Sequence, residues 1–113
     1  MNYVLFIGSK VGFEALRLMI DLNCSIRHVF VESEHSHEHE KYFGKSVEVC
    51  ELHHIQYSLD ASSREIHKLL TCEVSRGNGT DYIMSFGYRK MIDKAVLELP
   101  KVAALGTHFS PLP

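Results

Sequence analysis

The sequence alternates five short apolar runs with four segments whose apolar residues recur at helical spacing. A parallel sheet needs a crossover between successive strands, and a helix is its usual form. The alternation therefore predicts a doubly wound, mostly parallel, Rossmann-like α/β sheet with helices on both faces. The five predicted strands lie at residues 3–7, 26–31, 54–57, 81–85 and 102–108.

Turn and cap residues predict where the helices begin and end. Residues 8–12 contain two glycines and are interpreted as a turn, so the first helix is expected to start at Phe13. Asn23 marks its end, because asparagine tolerates the left-handed backbone that closes many helices. Either Asp60 or Ser62 is the expected N-cap of the third helix.

The segment that follows the second strand, residues 32–41, is charged and rich in histidine. This composition predicts an exposed loop and excludes the segment from the core. His35, His37 and His39 alternate with glutamates and would chelate a divalent metal if the loop were extended. A solvated polar loop is the favoured interpretation, because a structural metal site normally draws fixed ligands from two elements.

Length and composition indicate a single soluble domain, residues 1–113, with no strong electrostatic preference. The formal net charge is -2, so no general attraction to nucleic acid or to an anionic membrane is expected. Cys24, Cys50 and Cys72 are odd in number and widely spaced, which favours free thiols in a cytoplasmic protein. No apolar stretch approaches the roughly 20 residues that span a bilayer.

Ligands of open parallel sheets bind beyond the carboxyl ends of the strands. Four loops therefore compete for function, and they lie at residues 8–12, 33–40, 85–91 and 106–113. The first lacks the third glycine of a dinucleotide fingerprint, which favours a tight turn with close packing of strand and helix.

Two of these loops carry specific side chains. Gly87, between Phe86 and Tyr88, permits a sharp backbone bend after the fourth strand. These residues could form a ligand-binding loop, and the alternative is an ordinary strand-to-helix turn packed by aromatic residues. His108 ends the last apolar run and is followed by a stiff segment with two prolines, residues 109–113. A single histidine at a strand end is more often structural than catalytic.

Residues 81–92, 96–100 and 106–113, in that order and spacing, resemble the formyltransferase family. That family includes methionyl-tRNA formyltransferase, glycinamide ribonucleotide transformylase and the N-formyltransferases of nucleotide-linked amino sugars. The opening strand with Gly8 fits the same pattern. The resemblance implies a partial amino-terminal, folate-binding domain that transfers a formyl group from 10-formyltetrahydrofolate to a primary amine.

The resemblance also implies roles for individual residues. His108 corresponds to the family's histidine beside the transferred group, where a proton acceptor and an oxyanion donor are needed. Phe86, Gly87, Tyr88 and Met91 correspond to the loop that binds the pterin through main-chain groups and apolar contacts.

The sequence departs from the family pattern in two ways. Gly106 stands where the family has an asparagine, and the family's aspartate would lie beyond Pro113. We therefore expect the sheet and the active site to be incomplete in this chain, and the chain alone to be inactive. A folate- or nucleotide-binding module without turnover is the alternative, and a metal-handling protein built on His35, His37 and His39 is a third hypothesis.

The expected partners are folate and an amine acceptor, either an amino sugar or methionyl-tRNA. The balanced charge and the lack of a basic stripe weigh against tRNA. We also expect dimerisation or aggregation, because a sheet that stops at its fifth strand exposes an apolar edge.

Overall fold

A computed structural model describes residues 1–34, 41–75 and 79–106. Its centre is a five-stranded sheet in the order β3-β2-β1-β4-β5, and every neighbouring pair is parallel. The strands are β1 (Asn2–Gly8), β2 (Ser25–Glu32), β3 (Tyr57–Leu59), β4 (Tyr82–Phe86) and β5 (Ala103–Gly106). The predicted doubly wound, Rossmann-like α/β fold is confirmed.

Helices connect the strands and cover both faces of the sheet. From β1 the chain moves outward to β2 and β3, and it then returns to place β4 on the other side of β1. The strand order therefore reverses between β1 and β4. The helices are α1 (Ser9–Asp21), α2 (Phe43–Leu52), α3 (Ser63–Ser75) and α4 (Lys94–Leu97).

Alternation along β1 divides the buried residues into two clusters. Leu5 and Ile7 face α1 and α2, whereas Val4 and Phe6 face α3 and α4. Phe6 lies at the centre of the second cluster, and its ring centroid is 4.7 Å from that of Phe30. Because the central strands are buried on both faces, β1 reads as a continuous apolar run.

Left-handed residues end α1 and α2. Asn23 has φ 60° and directly follows the C-cap of α1, as predicted. His54 has φ 57° after α2, and the following Ile55 N–H donates to the Cys50 carbonyl at 2.8 Å. This hydrogen bond is typical of a Schellman motif, in which the apolar residue packs back on the helix. Residues 54 and 55 therefore close α2, and the predicted third strand at 54–57 began and ended too early: β3 is Tyr57–Leu59.

The turn before α1 is shorter than predicted. The helix begins at Ser9, and Gly12 is a buried helical residue. A β-carbon on Gly12 would lie 2.7 Å from the Ile7 β-carbon and 2.8 Å from the Phe86 carbonyl oxygen. The expected close packing of strand and helix is therefore confirmed, but the predicted turn over residues 8–12 was wrong.

Ser62 is the N-cap of α3. Its hydroxyl accepts a hydrogen bond from the Glu65 N–H at 3.2 Å, and the Glu65 carboxylate accepts one from the Ser62 N–H at 3.0 Å. This reciprocal pair is a capping box. Of the two predicted N-caps, Ser62 is confirmed. The Asp60 carboxylate instead contacts Ser33 and Lys90, as described below.

The charged segment after β2 was predicted to be exposed throughout, and this was wrong at its start. Glu32 and Glu34 are each only 7% exposed. The Glu34 carboxylate accepts hydrogen bonds from the N–H groups of Tyr42 and Phe43, at 2.8 Å for Phe43. A carboxylate at a helix N-terminus satisfies main-chain donors that the helix itself leaves open. Within the described part of the chain, no helix has both the length and the apolar character needed to cross a bilayer.

Candidate functional site

All five strands end at the same edge of the sheet, because they are parallel. This carboxyl edge is where ligands of doubly wound proteins bind, above all where the strand order reverses. Here that place lies between the ends of β1 and β4. The last residues of the five strands are Gly8, Glu32, Leu59, Phe86 and Gly106.

Two glycines bring the chain after β1 and the chain after β4 into contact. Gly87 has φ +71°, which confirms the predicted sharp bend. A β-carbon on Gly8 would lie 2.5 Å from the Gly87 carbonyl oxygen, and one on Gly87 would lie 3.0 Å from the Ser9 hydroxyl oxygen. The two backbones therefore meet directly at the point of strand reversal.

The segment after β4, residues 87–91, crosses the carboxyl edge and is called the β4 loop below. The Arg89 N–H donates to Glu32 Oε1 at 2.7 Å, at the end of β2. The Lys90 ammonium lies 3.7 Å from Asp60 Oδ1, directly after β3. From its origin at β4 the loop thus passes the ends of β1, β2 and β3 in turn.

Asp60 links the β4 loop to the chain that leaves β2. Its carboxylate accepts hydrogen bonds from the Ser33 N–H at 2.9 Å and from the Ser33 hydroxyl at 2.6 Å. Burial acts to raise the pKa of Asp60, but these hydrogen bonds and the charge of Lys90 outweigh it and hold that pKa below its ordinary value. The carboxylate is therefore ionised at neutral pH.

The bend separates the side chains that were predicted to contact a pterin. Phe86 is half-buried and packs with the α1 and α2 cluster, while Tyr88 is buried in the α3 and α4 cluster against Phe6. Met91 is 67% exposed. The structure therefore places the four predicted residues in one segment, from the last residue of β4 through the β4 loop, but does not bring the three apolar side chains together. Their contact with folate stays a prediction.

Tyr88 is a poor candidate for acid–base chemistry. Burial, together with the carboxylates of Glu32 and Asp60, raises the pKa of the Tyr88 hydroxyl to about 12. The hydroxyl is therefore protonated at neutral pH. What the β4 loop can offer a ligand from this residue is its main chain.

Gly106 is the last described residue on the path to His108. It pairs with Ser85 in the β4–β5 register, so β5 ends level with the residue before Phe86. His108 lies outside the described residues, as do His35, His37 and His39.

Among the residues that the structure does describe, no three histidine, cysteine, aspartate or glutamate side chains come together as a metal site would require.

Sequence reasoning missed Glu32 and Asp60 as organising residues of this edge. Glu32 is the last residue of β2 and Asp60 directly follows β3, positions where a charged side chain lies near the other strand ends. That placement was the available signal. What hid it is the sequence distance of 57 residues between Glu32 and its main-chain donor in Arg89.

In the described part of the chain, two of the clefts lie at the opposite, amino edge of the sheet. One, of about 200 Å³, lies between the ends of α1 and α2 and includes Arg17 and His53. The other, of about 250 Å³, is polar and lies beside the starts of β2 and β3, with Arg27 and Gln56 in its wall. Neither contains a residue that the sequence marked for function.

The parallel five-stranded sheet, with its reversal of strand order between β1 and β4, defines the chain as an α/β protein of the Rossmann-like class. It is similar over its full length to the bifunctional polymyxin resistance protein ArnA of Wigglesworthia glossinidia brevipalpis, with 28% identity over 116 aligned residues. The chain spans 17% of that protein's length. No protein-family model matches the sequence.

Proposed function

We propose that this chain binds a reduced folate at its carboxyl edge and supplies the folate-binding part of a formyl transfer from 10-formyltetrahydrofolate to a primary amine. The observation that carries the proposal is the position of the β4 loop. The residues that resemble the family's pterin-binding loop are those that cross the edge where the strand order reverses. The similarity to ArnA, a bifunctional protein of which the chain spans 17%, supports the interpretation of this chain as one part of a larger protein.

The β4 loop has suitable chemistry for a flat heterocycle. Because Gly87 carries no side chain, its backbone lies directly against Gly8 and fixes the course of the loop across the strand ends. The thioether of Met91 is exposed and offers an adaptable apolar contact. In this proposal Tyr88 contributes its main chain, because its ring belongs to the core.

The contact between Gly8 and Gly87 favours folate over a dinucleotide. Dinucleotide-binding proteins of this fold place the pyrophosphate against the turn that follows the first strand. Here the Gly87 carbonyl oxygen already lies against that turn. A nucleotide-binding module is therefore the weaker alternative, and folate binding without turnover is the stronger one.

The transfer step is assigned to His108. An amine attacks the formyl carbon and a tetrahedral oxyanion forms, while the imidazole would accept the amine proton. Return of that proton to N10 would let the bond between the formyl carbon and N10 break and release tetrahydrofolate. The family's asparagine, a donor to the oxyanion, is replaced by Gly106. Loss of one such donor costs about 10²–10³ in rate, so we expect transfer by this chain to be slow where folate binding is intact.

The acceptor in this proposal is an amino sugar or methionyl-tRNA. A formal net charge of -2 gives no general attraction to a polyanion, which favours the amino sugar.

A calorimetric titration with 5-formyltetrahydrofolate, a stable isomer of the donor, tests the binding part. We expect saturable binding that is weakened several-fold by Met91→Ala. Val102→Ala, at an exposed position before β5, is the matched control and should bind as the unaltered chain does. Absence of binding by the unaltered chain would refute the proposal.

A second variant separates binding from transfer. His108→Ala should retain folate affinity while it abolishes any release of tetrahydrofolate in the presence of an amine. If the unaltered chain binds folate and releases none with either acceptor class, and a chain extended past Pro113 also releases none, the function is folate binding alone. If His108→Ala transfers the formyl group as well as the unaltered chain, the role given to His108 is wrong.

A further inference from the structure

The carboxylate of Glu32 lies where three strand ends meet. It ends β2, its Oε1 would lie 3.1 Å from a β-carbon on Gly8 after β1, and the same oxygen accepts the N–H of Arg89 after β4. The side chain is 9% exposed. A carboxylate removed from water needs hydrogen-bond donors around it, so the bond from the β4 loop is part of what makes the burial of Glu32 acceptable.

The bond to Arg89 is made to the main chain, at 2.7 Å, and the guanidinium Nε of the same residue lies farther away, at 3.8 Å. The main-chain bond is therefore the specific one. The ring of Tyr88 anchors the loop in the core, and a further polar attachment, from Lys90 to Asp60, is a longer ion pair between partly exposed side chains. Pairs of that kind contribute little to the geometry of a loop.

A hydrogen bond at the Arg89 N–H orients a whole peptide group. The N–H and the carbonyl of the preceding residue share one rigid plane, and in a trans peptide they point in opposite directions. The described residues contain no cis peptide bond. With its N–H directed at Glu32, this plane directs the Tyr88 carbonyl away from Glu32. Glu32 therefore sets the direction of a main-chain acceptor in the middle of the β4 loop.

We propose that Glu32 is a positioning residue for folate, holding the main chain of the β4 loop in the orientation that the pterin requires. This inference rests on the proposed function. A loop that binds through main-chain groups must keep them within about 0.5 Å of the productive geometry. If a loop must become ordered when the ligand binds, the free energy of ordering it weakens the affinity.

Three variants of Glu32 test the proposal by titration with 5-formyltetrahydrofolate. Glu32→Ala removes the acceptor and should weaken binding about tenfold or more, because a hydrogen bond to a charged group is lost. Glu32→Asp keeps the charge but withdraws the carboxylate by one methylene, and it should also weaken binding. Glu32→Gln retains an acceptor oxygen at the same reach and should recover most of the affinity.

Glu34→Ala is the matched control. Glu34 is as buried as Glu32 and also accepts main-chain N–H groups, but its donors are Tyr42 and Phe43 at the start of α2. Its loss should lower stability and leave folate affinity unchanged. Amide hydrogen exchange adds a readout without ligand: the Arg89 N–H should lose protection in Glu32→Ala and keep it in Glu34→Ala.

The outcomes separate the inference from the function on which it rests. If the unaltered chain does not bind folate, the proposed function fails and the inference fails with it. If the unaltered chain binds, and folded Glu32→Ala and Glu32→Asp bind equally well, only the inference is overturned. Should Glu32→Ala not fold, Glu32→Asp decides alone: weaker binding supports the positioning role, and unchanged binding refutes it.

Discussion

The carbonyl oxygen of Gly87 lies only 2.5 Å from the place that a β-carbon on Gly8 would occupy. The contact joins the end of β1 to the β4 loop, and both partners are main chain. Because main chain cannot move aside as a flexible side chain does, any larger residue at position 8 must displace the loop.

Gly8→Ala should therefore destabilise the fold by about 1–3 kcal/mol through overpacking. Gly87→Ala should cost at least as much, because its φ of +71° adds the penalty of a left-handed backbone. Gly44→Ala is the control: no atom lies within 4 Å of a β-carbon there, and in α2 alanine should stabilise by up to about 1 kcal/mol. Urea denaturation measures all three. Equal stability of Gly8→Ala and the unaltered chain would contradict the contact.

The lowered pKa of Asp60 predicts that the free energy of unfolding decreases in acid. A carboxyl with a pKa lowered by folding stabilises the folded state above its ordinary pKa, and this contribution disappears as the pH falls through the lowered value. Asp60→Asn is a suitable variant, because asparagine tolerates the φ of 52° at this position. We expect it to cost about 1 kcal/mol at neutral pH through the weakened bonds to Ser33.

Denaturation of Asp60→Asn and the unaltered chain at a series of pH values tests this. The difference in free energy of unfolding should shrink toward zero in strong acid, where the aspartate of the unaltered chain is also neutral. A difference that stays constant across the acid range would show that the charge of Asp60 contributes nothing.

Cys50 predicts the opposite behaviour at alkaline pH. Burial, with a smaller effect of the neighbouring Glu51 carboxylate, raises the pKa of its thiol to about 12. The unfolded chain releases this proton near pH 9, so stability should fall as the pH rises from about 9 toward 12. Cys50→Ala should remove that part of the alkaline loss, although it lowers stability at neutral pH by leaving a small cavity.

At neutral pH a thiol reagent should modify the exposed Cys72 and spare Cys50. Reaction of Cys50 at the rate of Cys72 would contradict its burial.

The architecture was predictable because it follows from local patterns. Apolar runs separated by helical periodicity admit few topologies, and a parallel doubly wound sheet is the common one. The third strand was misplaced for an equally local reason. Ile55 looks like the start of a strand, but a left-handed His54 turns it back to close α2. An apolar residue after a helix has this ambiguity, and histidine is a weak signal for the turn.

The candidate site was predictable only in part, since it depends on contacts between distant segments. The bend at Gly87 was predicted from its glycine. The separation of Phe86 from Tyr88 was not, because alternation along a continuing strand would place both on one face. The burial of Glu32 also escaped prediction, because the main-chain donor that satisfies it arrives from the β4 loop.

Exposed apolar side chains on α1 and β5 predict self-association. Val11, Leu18 and Leu22 recur at helical spacing along α1 and its C-cap and are exposed, and Leu105 is exposed on β5. Apolar area of this kind favours contact between copies of a chain. Light scattering at micromolar concentrations should give a mass above that of one chain, and Leu18→Lys combined with Leu105→Lys should restore the monomer. Leu52→Lys, at an exposed position in α2, should leave the larger species in place. A monodisperse monomer of the unaltered chain would refute the association, and equal rescue by Leu52→Lys would show that the α1 and β5 leucines are not the contact.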